Sequence, residues 1–160
     1  MEQQERTSDD YYTPKWVFDR LGLRFDLDVC APPGGGPFVP CDRYYTMADD
    51  GLTAPWHGRV WMNPPYSGVR PWWERFAAHR NGVALLPLAK SGWLSEMWTE
   101  ADGVALLPNG GKVEFVRPGS APAPIWLAVV VAAFGQECVE ALRGLGTVRV
   151  ALPYDPEGEP

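Results

Sequence analysis

The chain has 160 residues, enough for one domain that buries its own hydrophobic core and too few for two domains of usual size. Its composition is globular, with 46% hydrophobic and 21% charged residues, and its 17 glycines and 17 prolines predict many turns. The net charge of −6 excludes a broadly basic surface, although a local basic patch remains possible.

The first predicted elements are a helix and a strand. Thr13 and Pro14 have the residue types of an N-cap and a first helical position, and Gly22 is placed to end that helix. Residues 25–29 alternate apolar and acidic side chains, which predicts a strand. The following stretch, residues 30–37, is rich in proline and glycine and predicts a flexible turn.

The most informative stretch of the sequence lies at residues 60–66. Val60–Met62 is a short apolar run that predicts a buried strand. The sequence Asn63-Pro64-Pro65-Tyr66 ends this strand, because neither proline can donate to a ladder and Pro64 biases its predecessor away from helix. A polar side chain, free carbonyls and an aromatic ring are therefore left at a strand's carboxyl end, where open α/β sheets bind ligands.

Apolar spacing predicts the next three elements. Val69, Trp72, Trp73 and Phe76 recur at helical spacing, so we expect a helix with a largely buried aromatic face that ends before Asn81. The similar runs 83–88 and 104–108 predict two buried strands that are neighbours in the sheet. Ser91 is placed to cap a helix between them.

The last third of the chain is predicted from the same signals. Residues 112–116 alternate and predict a hairpin strand, and 117–124 predict a loop. Residues 125–134 form the most apolar run and predict a central strand, followed by a helix over 135–143 and a last strand over 148–152. This order predicts the α/β class, with a compact Rossmann-like sheet that is mostly parallel and has an antiparallel end.

The chemistry that suits residues 63–66 is methylation of a planar exocyclic amine. Such a nitrogen is a poor nucleophile because its lone pair is delocalised, and acceptors for its two hydrogens favour the geometry of attack. The Asn63 side-chain oxygen and the Pro64 carbonyl are candidate acceptors, and Pro65 stiffens the turn that places them. Tyr66 offers a flat face for a base drawn out of a duplex. The candidate catalytic residues are thus Asn63, Pro64, Pro65 and Tyr66.

These residues resemble a known family. Asn63-Pro64-Pro65-Tyr66 looks like the (D/N)PPY motif of S-adenosylmethionine-dependent amino-methyltransferases. A wider set of motifs resembles the small phage-type DNA N6-adenine methyltransferases (Dam-like), over about residues 11–134: Tyr12-Thr13-Pro14, Leu27-Asp28-Val29-Cys30-Ala31, Asp49-Asp50-Gly51-Leu52, Trp56 and residues 58–66. The resemblance implies a class I methyltransferase fold and direct methyl transfer to the N6 amine of a flipped adenine in DNA.

The resemblance also implies a set of cofactor-binding residues for S-adenosylmethionine. They are Thr13, Pro14, Asp28, Cys30, Ala31, Asp49 and Asp50. A turn or helix cap is the alternative role of the acidic pair Asp49-Asp50. The loop after Cys30 lacks the usual Gly-x-Gly spacing, and the interval before Asp49 is too short for a full helix, a strand and a second acidic motif. The ribose-binding residue is left open, since Asp42 is either a candidate or a solvated turn aspartate.

The expected partner is double-stranded DNA. The candidate substrate-binding residues are Ser67, Arg70, Lys90 and Lys112, and scattered solvated charge is the alternative for the three cations. Other substrates fit the motif, namely protein glutamine or adenine in RNA, and the acidic charge suits a protein partner. A module that binds cofactor or DNA without catalysis is a third possibility. We expect a monomer or weak homodimer, and specificity from loops alone.

The remaining expectations concern organisation and location. We expect a disordered tail over 1–10, one methyltransferase domain over 11–152 and an acidic tail over 153–160. No signal peptide is evident, and the longest apolar run is too short to span a bilayer, which predicts a cytoplasmic protein, in the host cell if phage-encoded. Three cysteines without CxxC spacing predict free thiols, and no metal site is indicated.

Overall fold

Nine strands, five α-helices and one short 3-10 helix (Leu142–Gly144) are present in the described part of the chain. The computed structural model describes residues 11–117 and 119–151, so the predicted tails 1–10 and 153–160, and position 152 of the predicted last strand, lie outside it. In chain order the elements are α1 (Lys15–Leu21), β1 (Phe25–Asp28), β2 (Cys41–Tyr44), β3 (Val60–Met62), α2 (Arg70–His79), β4 (Gly82–Pro87), α3 (Gly92–Glu100), β5 (Gly103–Leu106), α4 (Pro108–Gly111), β6 (Glu114–Phe115), β7 (Ala123–Pro124), β8 (Val129–Phe134), α5 (Gln136–Ala141) and β9 (Val148–Arg149).

Seven of these strands form one mixed sheet in the order β2-β1-β3-β4-β8-β5-β9. The strands β2, β1, β3 and β4 run parallel to one another. Strand β8 is antiparallel to both β4 and β5, and β9 is antiparallel to β5. The predicted fold class is confirmed, because this is an α/β, Rossmann-like sheet with a parallel core and an antiparallel end.

The sheet is buried on both faces, which explains its continuous apolar strands. All six residues of β4 and all six of β8 are buried. One core cluster joins the sheet to α1 and α5, and a second joins the other face to α2 and α3. The predicted burial of the α2 aromatics is confirmed, since Trp72, Trp73 and Phe76 all lie in the second cluster.

One prediction about strand order is wrong. The similar runs that form β4 and β5 are not neighbours, because β8 lies between them and pairs with both. The ladder with β4 spans six residue pairs and the ladder with β5 spans four. As the most apolar strand, β8 is stabilised most by a position with a partner on each side. It is also shorter than predicted and begins at Val129, which leaves Trp126 outside the sheet and 99% exposed.

The start of α1 also differs from the prediction. The helix begins at Lys15, so Pro14 occupies the N-cap with extended backbone, and Thr13 does not cap the helix. Ser91 does occupy the N-cap of α3, but its side chain makes no capping hydrogen bond. The predicted end of α1 is confirmed, because Gly22 adopts a left-handed φ of 63° and its N–H donates to the carbonyl of Phe18.

Strand β2 was not predicted from the sequence. It lies at the sheet edge, parallel to β1, and is reached through residues 29–40 without a crossover helix. The prolines and glycines of this connection disfavour a helix. The interval before Asp49, which is too short for both a helix and a strand, therefore contains the strand and no helix. Residues 42–44 are exposed and residues 42–43 are charged, which removes the apolar signal on which strand prediction depends.

A long segment between β5 and β8 stands at one edge of the sheet. We call residues 107–117 and 119–128 the β5–β8 excursion. It contains α4 and the predicted hairpin, in which β6 pairs with β7. Its residue Val116 also forms an isolated bridge with Tyr12 in the N-terminal segment. Across residues 11–117 and 119–151, no helix combines the length and apolar character needed to cross a membrane.

Candidate functional site

The carboxyl ends of the three parallel strands β1, β3 and β4 lie side by side, and the side of the sheet that they form is called the carboxyl edge. In the register of β1 and β3, Asp28 lies opposite Trp61, and in that of β3 and β4, Met62 lies opposite Ala84. Asn63, the first residue beyond β3, therefore lies at the same edge as the acidic end of β1. This edge is where ligands bind in sheets of this type.

Asn63 is fixed by a contact with the N-terminal segment. Its side-chain nitrogen donates to the Thr13 hydroxyl at 3.2 Å, and Thr13 is 5% exposed. A carboxamide has one acceptor oxygen and one donor nitrogen, so holding the nitrogen also fixes the direction of Oδ1. Pro64 is buried and the following turn is closed by a hydrogen bond from Gly68 N–H to the Pro65 carbonyl. The structure thus brings together the predicted residues Thr13 and Asn63.

Tyr66 is packed into the fold at the end of the same turn. Its hydroxyl donates to the Leu85 carbonyl at 3.3 Å, and its ring meets Phe115 edge-on with centroids 6.3 Å apart. Burial raises the pKa of the Tyr66 hydroxyl above its usual range. These contacts anchor the turn to β4 and to the β5–β8 excursion. The predicted stacking of a base on this ring stays a prediction.

Asp28 is the one carboxylate buried within the described residues, at 2% exposure. Desolvation raises its pKa to about 7, and a hydrogen bond from the Cys30 N–H at 3.2 Å acts in the opposite direction. A Cβ built at Gly36 would lie 2.7 Å from Val39 and 3.7 Å from Asp28 Oδ2, so this loop crosses close above the carboxylate. A cationic ligand placed here would favour the ionised form of Asp28.

The other residues predicted beside Asp28 are held by neighbouring backbone. Ala31 is buried, and its N–H donates to the Tyr45 carbonyl at 2.8 Å. The Tyr45 N–H in turn donates to the Asp28 carbonyl at 2.8 Å. These bonds fasten the end of β2 to the end of β1, and they bring the chain that follows β2 to the same edge as Asn63.

The acidic pair follows directly and forms a local turn. Asp49 Oδ2 accepts from the Thr46 N–H at 2.8 Å and from its hydroxyl, and Asp50 Oδ1 accepts from the Leu52 N–H at 3.2 Å. Asp50 has a left-handed φ of 54°, which aspartate tolerates better than most residues. One oxygen of each carboxylate is therefore engaged in the turn. A cofactor role for either aspartate stays a prediction.

The predicted substrate-binding residues fall into two groups. Arg70 is paired with Glu74 and Glu96, which neutralise its charge, so its prediction as a phosphate ligand gains no support from this geometry. Lys90 and Lys112 are exposed, and no ion pair among the described residues includes them. Ser67 is exposed beside the turn. The open ribose candidate Asp42 instead pairs with Arg24 at 2.8 Å.

Sequence reasoning missed one connection at the site. Tyr12 and Val116 exchange backbone hydrogen bonds of 2.8 and 2.9 Å, which clamps the segment that carries Thr13 onto the β5–β8 excursion. A single residue pair leaves no periodic pattern in the sequence, so no signal was present to find it. The bridge connects the excursion to Asn63 through Tyr12 and Thr13.

The sheet, its acidic strand end and its Asn-Pro-Pro-Tyr turn define a Rossmann-like amino-methyltransferase. Within this class, the family described as DNA N-6-adenine-methyltransferase (Dam) has a sequence model that matches residues 2–124. The chain belongs to this family, and the predicted resemblance is confirmed.

One curated relative adds a more specific comparison. The DNA N-6-adenine-methyltransferase of Haemophilus phage HP1 (strain HP1c1) is 40% identical over 68 residues, which cover 39% of this chain and 38% of that protein. The chain therefore matches well under two thirds of this relative's length. No solved structure matches the chain significantly.

Proposed function

We propose that this chain transfers a methyl group from S-adenosylmethionine to the N6 amine of adenine in DNA. The observation that carries the proposal is the contact between Thr13 and Asn63, which leaves the Asn63 oxygen as an oriented acceptor at the ligand-binding edge. Membership of the Dam family supports the substrate, and so does the name of the phage relative.

The residues at the edge fit a cationic cofactor. The buried Asp28 is a hydrogen-bond acceptor whose ionised form needs a nearby positive charge, and the close approach of Gly36 provides a wall without a side chain. When bound, S-adenosylmethionine supplies an electrophilic methyl group on a sulfonium. Residues Thr13 and Pro14 on one side and Ala31 on the other are the proposed lining, with Cys30, Asp49 and Asp50.

The protein's part in the reaction is to orient the amine. Asn63 Oδ1 and the Pro64 carbonyl accept the two amine hydrogens, which favours the tetrahedral geometry in which the nitrogen lone pair is available for attack. Pro65 restricts the turn, so the acceptors need little reorganisation. No protein nucleophile takes part, and methyl transfer is direct.

The adenine must leave the duplex to reach Asn63. Extrusion costs on the order of a few kcal/mol, which contacts with the protein have to offset. Tyr66 next to Asn63, and the exposed residues Ser67, Lys90 and Lys112, are the proposed contacts with the base and its flanking phosphates.

The test is methyl transfer from labelled S-adenosylmethionine to unmethylated duplex DNA, followed by nucleoside analysis. We expect N6-methyladenine as product. Asn63→Ala should abolish turnover and leave cofactor affinity, measured by calorimetry, largely unchanged. Asn81→Ala is the matched control, because Asn81 precedes β4 at the opposite edge of the sheet. Full activity of the Asn63 variant rules out the mechanism.

The acidic charge favours a second candidate, in which the planar amine belongs to a protein glutamine or to adenine in RNA. Mass spectrometry of bulk DNA, RNA and translation factors after expression separates these substrates. Methylation confined to protein or RNA replaces the DNA proposal. Absence of any heat with S-adenosylmethionine in calorimetry favours a module without catalysis.

A further inference from the structure

Trp126 is the most exposed large apolar side chain in the described part of the chain. It is 99% exposed, and its neighbour Leu127 is 36% exposed. Burying a tryptophan removes a large apolar area from water, so a ring left wholly in solvent gains nothing for the fold. Its exposure suggests a role in binding if the ring lies near the candidate site.

The antiparallel pairing of β4 and β8 places Trp126 at the candidate site's edge. Val129 lies opposite Pro87, and one residue further the Leu88 N–H donates to the Ala128 carbonyl at 2.8 Å. Lys90 lies two residues after Leu88, and Trp126 lies two residues before Ala128. Both therefore lie beyond the sheet at the carboxyl end of β4, which pairs with β3, the strand that precedes Asn63.

The charge around Trp126 suits a polyanion. Six of the described lysines and arginines are held in ion pairs with carboxylates: Lys15, Arg24, Arg59, Arg70, Arg80 and Arg143. Lys90, at the same end of the sheet as Trp126, and Lys112 and Arg117 in the β5–β8 excursion are outside these pairs, as are Arg20, Arg43, Arg75 and Arg149. Lys90 and Lys112 are exposed, so in a chain of net charge −6 this end of the sheet offers exposed cations outside the ion pairs.

We propose that Trp126 stacks on a nucleobase of the DNA duplex beside the extruded adenine, and that Lys90 binds an adjacent phosphate. The inference rests on the proposed function and adds a contact to it. Extrusion breaks the stacking between the adenine and its neighbours, and an aromatic ring that covers the exposed base face restores part of it. Every base has such a face, so this contact supports extrusion without reading sequence.

The first test compares Trp126→Ala and Trp126→Phe in the full chain, with Trp98→Ala as control. Trp98 is 59% exposed but lies on α3, in an apolar groove formed with Val104 and Leu106. Methyl transfer to unmethylated duplex DNA is measured as KM and kcat. We expect Trp126→Ala to lower kcat/KM for DNA roughly 5- to 150-fold, the range of one stacking contact. The phenylalanine variant should keep most activity, and the control all of it.

Two further measurements separate stacking from other roles. The melting temperature of Trp126→Ala should equal that of the wild type, because the ring is fully exposed. In a salt titration of DNA binding, Lys90→Ala should reduce the salt slope by about one, whereas Trp126→Ala should leave it unchanged.

The outcomes that overturn the inference are distinct from failure of the proposed function. Wild-type kinetics in Trp126→Ala, with an active wild-type enzyme, overturn the inference alone. A wild-type dimer that dissociates in Trp126→Ala, with unchanged kinetics on DNA, also overturns it by assigning the ring to a second copy. If the wild-type chain methylates no DNA, the proposed function and this inference fall together.

Discussion

The replacement Thr13→Val tests whether the N-terminal segment orients the Asn63 amide, the proposed acceptor for the substrate amine. Valine has nearly the shape of threonine but cannot accept the hydrogen bond that Asn63 donates at 3.2 Å. Without this hydrogen bond nothing from Thr13 favours one of the two flipped orientations of the Asn63 amide. The fraction of molecules in which Oδ1 faces the substrate amine then decreases. A hydrogen bond between neutral groups contributes about 0.5 to 1.5 kcal/mol, so we expect the methyl-transfer rate to decrease roughly 2- to 13-fold.

The assay is a single-turnover measurement of methyl transfer at saturating cofactor and DNA. Thr13→Ser should restore the rate, because serine keeps the hydroxyl. Thr99→Val is the isosteric control, since the Thr99 hydroxyl donates to the Ser95 carbonyl on the exposed side of α3. Cofactor affinity, measured by calorimetry, should be nearly the same in all four proteins.

Two outcomes contradict this reasoning. A wild-type rate in Thr13→Val means that the Asn63 amide is oriented by something else. A loss that appears entirely in cofactor affinity means that the Thr13 hydroxyl serves the cofactor alone and does not orient Asn63.

Three further predictions follow from buried groups. Burial raises the pKa of Asp28 from 3.8 to about 7, so its ionised form destabilises the fold above pH 4, and the full penalty is reached above pH 7. Asp28→Asn should therefore raise the unfolding free energy at pH 8 by on the order of 4 kcal/mol and change it little at pH 4. The measurement is urea denaturation, and an equal difference between variant and wild type at both pH values contradicts the prediction. Phe115→Ala should lower the unfolding free energy by about 3 to 5 kcal/mol, since the ring is 1% exposed and contacts Tyr11 and Tyr66. A decrease below about 1 kcal/mol in the same denaturation assay contradicts this. Tyr66→Phe removes the donor to the Leu85 carbonyl and should cost about 1 kcal/mol; an unchanged melting temperature would refute it.

Local sequence signals predicted most elements that carry the site. The short apolar run before Asn63 and the two prolines after it identify the end of β3, because proline removes ladder donors whatever the rest of the chain does. The aromatic face of α2 and the buried runs of β4 and β8 follow from periodicity and length in the same way. The motif set also identified the family, which the comparison confirmed.

The errors concern contacts between distant parts of the chain. The insertion of β8 between β4 and β5 depends on which pairing buries most surface, and the similarity of two apolar runs contains no information on that competition. The charged strand β2 is held by its bonds to β1 and has no apolar pattern of its own. The hydrogen bond from Asn63 to Thr13 joins two loops, so no periodic signal marks it, and the polar threonine was instead predicted as a helix cap.

The bridge between Tyr12 and Val116 has a consequence for synthesis on the ribosome. Asn63 and its turn emerge well before Val116, yet the segment that holds the Asn63 amide is clamped only once Val116 is available. Closing the loop between residues 12 and 116 has an entropic cost, which the packing of the sheet helps to offset. A nascent chain stalled before Val116 would therefore contain the Asn-Pro-Pro-Tyr turn without this clamp, and the proposed activity would be acquired late in translation.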